Sequence, residues 1–91
     1  MTIAPRRTIA VHPGEILQEL LDQNQITQSL VAERLDMTQP KISDICRGKR
    51  GVTPDMAMRL GRLFGQDPRF WLNLQENWEL SQLDEALYSG I

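Results

Sequence analysis

The sequence has very few of the residues on which disulfides, metal sites and much active-site chemistry depend. It contains one cysteine, Cys46, and one histidine, His12. A single cysteine cannot form an internal disulfide, and with one distant histidine it cannot complete a structural zinc site. Glu15 and Glu19 lie one helical turn apart, but no nucleophile or ligand set accompanies them. The sequence therefore predicts a protein that is not an enzyme and has no cofactor and no metal.

Long apolar runs and aromatic side chains are also scarce. No segment approaches the roughly 20 apolar residues that cross a bilayer, and Arg6 and Arg7 are not followed by the apolar stretch of a signal peptide. Aromatic residues make up 5% of the chain and hydrophobic residues 41%, a composition that suits one small helical domain with an aliphatic core. We expect a cytoplasmic protein with no membrane partner.

Charge is unevenly distributed along the chain. The formal net charge is −2, which is unexpected for a protein that binds phosphates. Residues 27–71, however, contain eight basic and five acidic residues, a net charge of +3, whereas residues 72–91 contain four acidic residues and no basic one. This separation would present a cationic surface to one partner and a different surface to another. Composition alone does not distinguish this interpretation from ordinary solvated surface charge.

Start and stop signals predict an N-terminal arm followed by five helices. Residues 1–11 lack helical periodicity and are expected to form a flexible arm, whereas residues 12–91 should form a single domain. Nothing in the sequence alternates with period two for long, so the predicted fold is all-α. Residues that suit helix starts are Pro13, Thr27, Thr38, Thr53 and Asp67, and the expected helix ends are near Gln23, Leu35, Arg47 and Gly65.

Residues 28–47 have the pattern of a helix-turn-helix. Ala32 provides the small side chain that is needed where two helices cross at close range. Apolar residues at helical spacing anchor both sides of the turn, namely Val31, Leu35, Met37, Ile42 and Ile45. The second helix keeps a polar side, whose N-terminal part would face base edges in the major groove. The predicted base-reading residues are Thr38, Gln39, Pro40, Lys41, Ser43, Asp44 and Arg47.

The chemistry of these side chains suits DNA. Gln39 can form two hydrogen bonds with adenine, and Ser43 is compatible with either class of base. Lys41 and Arg47 can bind guanine or phosphate, and Asp44 can accept from cytosine. A second set is expected to hold phosphates through side chains and helix N-terminal N–H groups, and it consists of Thr27, Gln28, Ser29, Lys49 and Arg50.

Outside the helix-turn-helix, structural roles are favoured over functional ones. Trp71, Leu74 and Trp78 lie at i, i+3 and i+7 of the last helix, a spacing typical of a core or dimer-interface face. His12 precedes a helix start, so a capping or packing role is expected rather than a catalytic one. Cys46 has no partner thiol and is not expected to act as a redox switch.

Three segments resemble known proteins. Residues 27–50 resemble the helix-turn-helix of the phage-repressor-like superfamily, whereas "HPGEIL" at 12–17 and "FWLNLQ" at 70–75 resemble HigA-type antitoxins, also called virulence-associated protein I-like. This resemblance implies a homodimer that represses its own operon and neutralises a partner toxin similar to RelE-type mRNA interferases. The turn position that is often glycine in such proteins is Asp36, a residue type that tolerates left-handed backbone better than most.

The sequence thus predicts a dimer that places two copies of residues 39–47 in successive major grooves of double-stranded operator DNA. The operator should be an inverted repeat whose half-sites are about 34 Å apart. Two alternatives stay open. One is a stand-alone repressor without a toxin partner; the other is a protein-interaction domain that has lost DNA binding, an alternative suggested by the acidic net charge.

Overall fold

The computed structural model describes residues 10–91, and all regular secondary structure in this range is helical. The five α-helices are α1 (Pro13–Gln23), α2 (Gln28–Leu35), α3 (Gln39–Cys46), α4 (Pro54–Phe64) and α5 (Pro68–Ser81), followed by a 3₁₀ turn at Glu85–Tyr88. The predicted all-α, five-helix fold is confirmed. Within residues 10–91, no helix is long and apolar enough to span a bilayer. Of the predicted arm, residues 1–9 lie outside the described residues, and Ala10 and Val11 are half-buried.

Most helix starts follow local capping signals. Three of the expected cap side chains accept a backbone N–H two or three residues further along: Thr27 from Leu30 at 3.1 Å, Thr53 from Met56 at 3.2 Å and Asp67 from Arg69 at 2.9 Å. Each bond satisfies one of the N–H groups that a helix leaves unpaired at its first turn. At the other end of α4, Gly65 adopts a left-handed conformation with φ of 69°, and the helix stops there as expected.

Thr38 departs from this rule. It occupies the N-cap position of α3 with extended backbone, but its hydroxyl accepts no N–H of the helix. One of the two N–H groups that a cap normally reaches is missing, because the second helical residue is Pro40. The other, from Lys41, bonds to the Thr38 carbonyl oxygen at 3.2 Å. Thr38 therefore occupies the cap position that the sequence predicts, and α3 begins where expected, but the usual side-chain bond is not formed.

The core lies between the helix-turn-helix and the helices that flank it in sequence. Helices α4 and α5 pack together, α2 packs on α3, and α1 contacts both α3 and α5. Trp71 is fully buried in this core, and its indole N–H donates to Oε1 of Gln66 at 2.7 Å. The other buried apolar residues are Leu17, Leu21, Val31, Ala32, Leu35, Ile42, Ile45, Val52, Met56, Ala57 and Leu60. Leu74 packs against the edge of this core, and Trp78 is half-buried.

Helices α1 and α3 approach each other most closely at Gly14. A Cβ atom at this position would lie 1.7 Å from the backbone oxygen of Ile45, far inside any allowed contact distance. Glycine is therefore required for α1 to lie against the C-terminal part of α3. This contact supports α3 from behind.

Candidate nucleic-acid interface

The helix-turn-helix is closed by a left-handed residue, as its sequence suggested. Asp36 has φ of 57° and ψ of 49°, and the next N–H, of Met37, bonds to the Ala32 carbonyl at 2.8 Å. Ala32 itself is buried where α2 and α3 cross. Aspartate thus performs the backbone role for which glycine is the easier residue, and the orientation of α3 on α2 is kept.

Four of the predicted base-reading residues lie together at the N-terminal end of α3. Thr38, Gln39, Pro40 and Lys41 are adjacent and exposed, while Ile42, on the inner face, is fully buried. The helix is thereby held by its apolar side with its polar N-terminal residues presented outward. This is the geometry in which a recognition helix contacts base edges.

The remaining members of the predicted set are less available. Ser43 and Asp44 are half-buried, and the Asp44 carboxylate forms an ion pair with Arg47 at 3.2 Å. These two charged residues occupy the opposite end of α3 from Gln39 and partly neutralise each other. The structure therefore separates the predicted set into an exposed N-terminal group and a C-terminal group that contains an ion pair.

Gln39 is joined to a residue that the sequence assigned to phosphate contact. Its Nε2 donates to Oε1 of Gln28 at 2.8 Å, across the crossing of α3 and α2. The bond uses one of the two N–H groups of Gln39 and leaves its Oε1 and a second N–H free. Adenine presents an amino donor next to the N7 acceptor in the major groove, so the free groups match that base edge.

A basic loop follows α3 and is wrapped against the end of that helix. The backbone N–H groups of Lys49 and Arg50 both donate to the Asp44 carbonyl, at 2.8 and 3.2 Å, after Gly48 has turned the chain with φ of 78°. Both side chains are exposed. Among residues 10–91 the ion pairs are Arg47–Asp44 and Arg59–Asp55. Neither involves Lys41, Lys49 or Arg50, so their charges are available to phosphates.

Gln75 anchors this loop from α5, a role that the sequence reasoning missed. The side chain is 9% exposed. Its Oε1 accepts the Val52 N–H at 2.7 Å, and its Nε2 donates to the Glu79 carboxylate at 2.9 Å. A signal was present in the sequence, because Gln75 lies at i+4 from Trp71 on the buried face of α5, and a polar residue on such a face needs a specific partner.

His12 performs the structural role expected of it. Its Nδ1 accepts the Gly14 N–H at 2.9 Å, which caps α1, and its ring contacts Trp78 edge-to-face with centroids 4.8 Å apart. Burial lowers the pKa of His12, and the Glu15 carboxylate acts in the opposite direction. The ring also lies close to Gly48, where a Cβ would be 3.8 Å away. The "HPGEIL" and "FWLNLQ" segments therefore converge on the loop that follows α3.

Cys46, the last residue of α3, is half-buried. Burial raises the pKa of its thiol, which keeps the unreactive neutral form dominant. Its position at the end of α3 therefore does not make it a nucleophile.

Comparison with known proteins identifies a family and relatives of this chain. The helix-turn-helix family model matches residues 17–71. Virulence-associated protein I of Dichelobacter nodosus is 39% identical over 77 residues, which is 84% of this chain and 71% of that protein.

Two solved structures are similar in fold and in sequence. PA4674 of Pseudomonas aeruginosa, crystallised with its 28-base-pair operator DNA, gives a TM-score of 0.83 at 38% identity over 91% of this chain and 92% of its own. The antitoxin HigA of Pseudomonas aeruginosa with the higBA promoter gives 0.77 at 42% identity over 80% of each chain. The resemblance to HigA-type antitoxins is thereby confirmed.

Proposed function

This chain belongs to the helix-turn-helix family of DNA-binding regulators, and we propose that it is the antitoxin of a toxin–antitoxin pair. In this role it binds operator DNA as a homodimer, represses its own operon and neutralises a toxin similar to RelE-type mRNA interferases. The observation that carries the DNA-binding part is the exposed N-terminal end of α3, where Gln39 keeps an unused acceptor and donor. The toxin-binding part is supported by the similarity to the antitoxin HigA.

Recognition of the DNA base sequence is assigned to the polar side of α3. Gln39 contacts adenine with its free Oε1 and N–H, and Thr38, Pro40 and Lys41 contact the adjoining base edges. Further along the helix, the other assigned base-reading residues are Ser43, Asp44 and Arg47. Arg47 reaches guanine or phosphate only if it exchanges its Asp44 partner for DNA, so we expect a smaller contribution to specificity from this pair than from Gln39.

Phosphate binding is assigned to two sites that flank α3. One is the start of α2, where Thr27, Gln28 and Ser29 adjoin the first-turn N–H groups that a helix leaves without partners within the helix. The other is the loop with Lys49 and Arg50. These contacts position the protein on the duplex and do not distinguish sequences.

Dimer formation is assigned to the C-terminal segment. Trp71 is fully buried within its own chain and is therefore core rather than interface. Large apolar side chains that remain exposed follow it, and they are Leu80, Leu83, Leu87, Tyr88 and Ile91. We assign the contact with a second copy to these side chains. An inverted-repeat operator with half-sites about 34 Å apart would require the dimer to present two α3 helices to one side of the duplex.

The DNA-binding part is tested with a duplex selected from a random pool by the wild-type protein. We expect Gln39→Ala to weaken binding roughly 5- to 100-fold and to relax preference at one base pair. Arg50→Ala should weaken all duplexes alike and reduce the dependence of log K on log salt by about one. Gln23→Ala, on an exposed position of α1, is the control. Equal losses on selected and random DNA for Gln39→Ala contradict the base-reading role.

The toxin-binding part is tested by co-expressing the tagged chain with the products of neighbouring open reading frames. Co-purification of a small protein whose expression alone stops growth supports it. If nothing co-purifies while the chain still binds its own promoter, the toxin is excluded and a stand-alone repressor remains. An absence of salt-dependent DNA binding favours the protein-interaction domain instead.

A further inference from the structure

The amides of Gln39 and Gln28 belong to a longer row of hydrogen bonds that ends on α1. Nε2 of Gln28 donates to Oε1 of Gln18 at 3.1 Å, and Nε2 of Gln18 donates to the Asp22 carboxylate at 2.9 Å. With the 2.8 Å bond from Gln39 to Gln28, the row joins three helices. It runs from the last turn of α1, past the start of α2, to the exposed start of α3.

All hydrogen bonds of the row are donated in the same direction, and Asp22 at one end determines that direction. A carboxylate offers only acceptors, so Asp22 requires the Nε2 end of Gln18. Gln18 then presents its oxygen to Gln28, which donates Nε2 in its turn and presents its own oxygen to Gln39. Gln39 must therefore donate an N–H into the row. Because a side-chain amide has its oxygen and nitrogen on opposite arms, this also determines which arm of Gln39 carries the acceptor at the DNA-facing surface.

We propose that Asp22 and Gln18 are positioning residues for operator recognition, which set the orientation of the Gln39 amide and thereby its preference for adenine over guanine. This inference rests on the proposed base-reading role of Gln39. Adenine shows an amino donor beside N7, whereas guanine shows two acceptors. With the row reversed, the Gln39 amide would exchange its donor and acceptor positions, and an N–H would meet the adenine amino group.

Stability alone does not account for the row. Asp22 and Gln39 are exposed, and Gln18 and Gln28 are half-buried, so water competes for each of these bonds. Exposed hydrogen bonds between side chains contribute little net free energy of folding. What the row supplies is a choice between the two orientations of the Gln39 amide, and that choice affects recognition more than folding.

The test compares binding to the selected duplex with binding to its A·T→G·C variants at each position. Asp22→Lys places an ammonium group, which only donates hydrogen bonds, at the end of the row, so each amide of the row has to exchange its donor and acceptor. A lysine in the last turn of α1 is compatible with the helix. Glu19→Lys is its control, because it changes the charge of the same helix equally from an exposed position outside the row. Gln18→Met removes the amide, and Gln23→Met is the matched control. A change in net charge alters the affinity for all duplexes alike. The ratio of the affinities for the A·T and G·C duplexes therefore reports only the orientation of the Gln39 amide.

We expect Asp22→Lys and Gln18→Met each to lower the adenine-to-guanine affinity ratio at the Gln39-dependent position by about threefold or more, toward the larger loss from Gln39→Ala. Glu19→Lys and Gln23→Met should leave it unchanged. In the free protein, the side-chain ¹⁵N–¹H resonances of Gln39 should shift in Asp22→Lys and not in Glu19→Lys.

Two results overturn the inference, and they are distinguishable. If Gln39→Ala loses the ratio while folded Asp22→Lys and Gln18→Met keep it, the positioning role is wrong and base reading by Gln39 stands. If Gln39→Ala itself keeps the ratio at every position, base reading by Gln39 is wrong, and the inference fails with it. Cooperative thermal unfolding of each variant verifies the fold in either case.

Discussion

The bond between Gln75 and Val52 tests how α5 supports the proposed DNA-binding surface. In Gln75→Leu a side chain of similar size would remain on α5, but the acceptor for the Val52 N–H would be lost. Val52 is 3% exposed, so water cannot easily replace the acceptor. A buried N–H without a partner costs about 1 to 3 kcal/mol, and we expect the free energy of unfolding to fall by that amount.

Thermal unfolding followed by circular dichroism measures this loss directly. For a domain of this size, 1 kcal/mol corresponds to about 4 to 8 °C in Tm, so a decrease of roughly 5 to 20 °C is expected. DNA binding gives a second readout. Gln75 holds at Val52 the loop that carries Lys49 and Arg50, so binding to selected and random duplexes should weaken together.

The matched control is Asn73→Leu, which introduces the same side chain at an exposed position of α5. It should change Tm by no more than a few degrees. If Gln75→Leu unfolds at the same temperature as Asn73→Leu, the Gln75 contact contributes nothing measurable to stability, and the role assigned to it is refuted.

Three further predictions concern α1 and the turn. Gly14→Ala should unfold the domain or destabilise it by more than about 3 kcal/mol, because its Cβ would lie 1.7 Å from the Ile45 oxygen; circular dichroism and urea unfolding measure this, and a wild-type midpoint contradicts it. The pKa of His12 is lowered in the folded state. The stability that His12 contributes is therefore fully present above its unfolded pKa of about 6.5 and is lost as the pH falls through its lower folded pKa. Between pH 7.5 and pH 5, the free energy of urea unfolding should fall less in His12→Asn than in the wild type, because the asparagine cap does not titrate. An equal fall in the wild type and in His12→Asn contradicts a role of His12 in the pH dependence. Asp36→Gly should unfold no more easily than wild type. Asp36→Val should lose about 1 to 2 kcal/mol of unfolding free energy, because left-handed backbone is much less favourable for a β-branched residue than for aspartate or glycine. Equal Tm values for the two variants contradict this.

The helices could be predicted from the sequence because their limits depend on neighbouring residues. The caps at Thr27, Thr53 and Asp67 join a side chain to an N–H two or three residues away, so the whole interaction lies within one short segment. Thr38 shows the limit of such rules, because Pro40 removes an N–H that its cap needs. The apolar face of α3 was equally readable, since helical periodicity places Ile42 and Ile45 on one side.

The sequence predicted which side of α3 is exposed, but it did not predict the contacts that the side chains there make with one another. Periodicity indicates that Gln39 and Lys41 point outward, but it carries no information about which side-chain amide pairs with which. The bond from Gln39 to Gln28 joins residues 11 apart on different helices, and the bond from Gln75 to Val52 joins residues 23 apart. Neither partner could be chosen without the packing of the helices.

By itself, the sequence determined the number, limits and inner faces of the helices, and with them the helix-turn-helix and the surface that α3 presents. Those features follow from backbone sterics, local hydrogen bonds and the burial of apolar side chains. Only the tertiary structure decided which polar groups meet: His12 with Trp78, Gln75 with the loop after α3, and Gln39 with the row that ends at Asp22. Hydrogen bonds and ring contacts act over a few ångströms, so they are set by how the helices cross rather than by the order of residues along the chain.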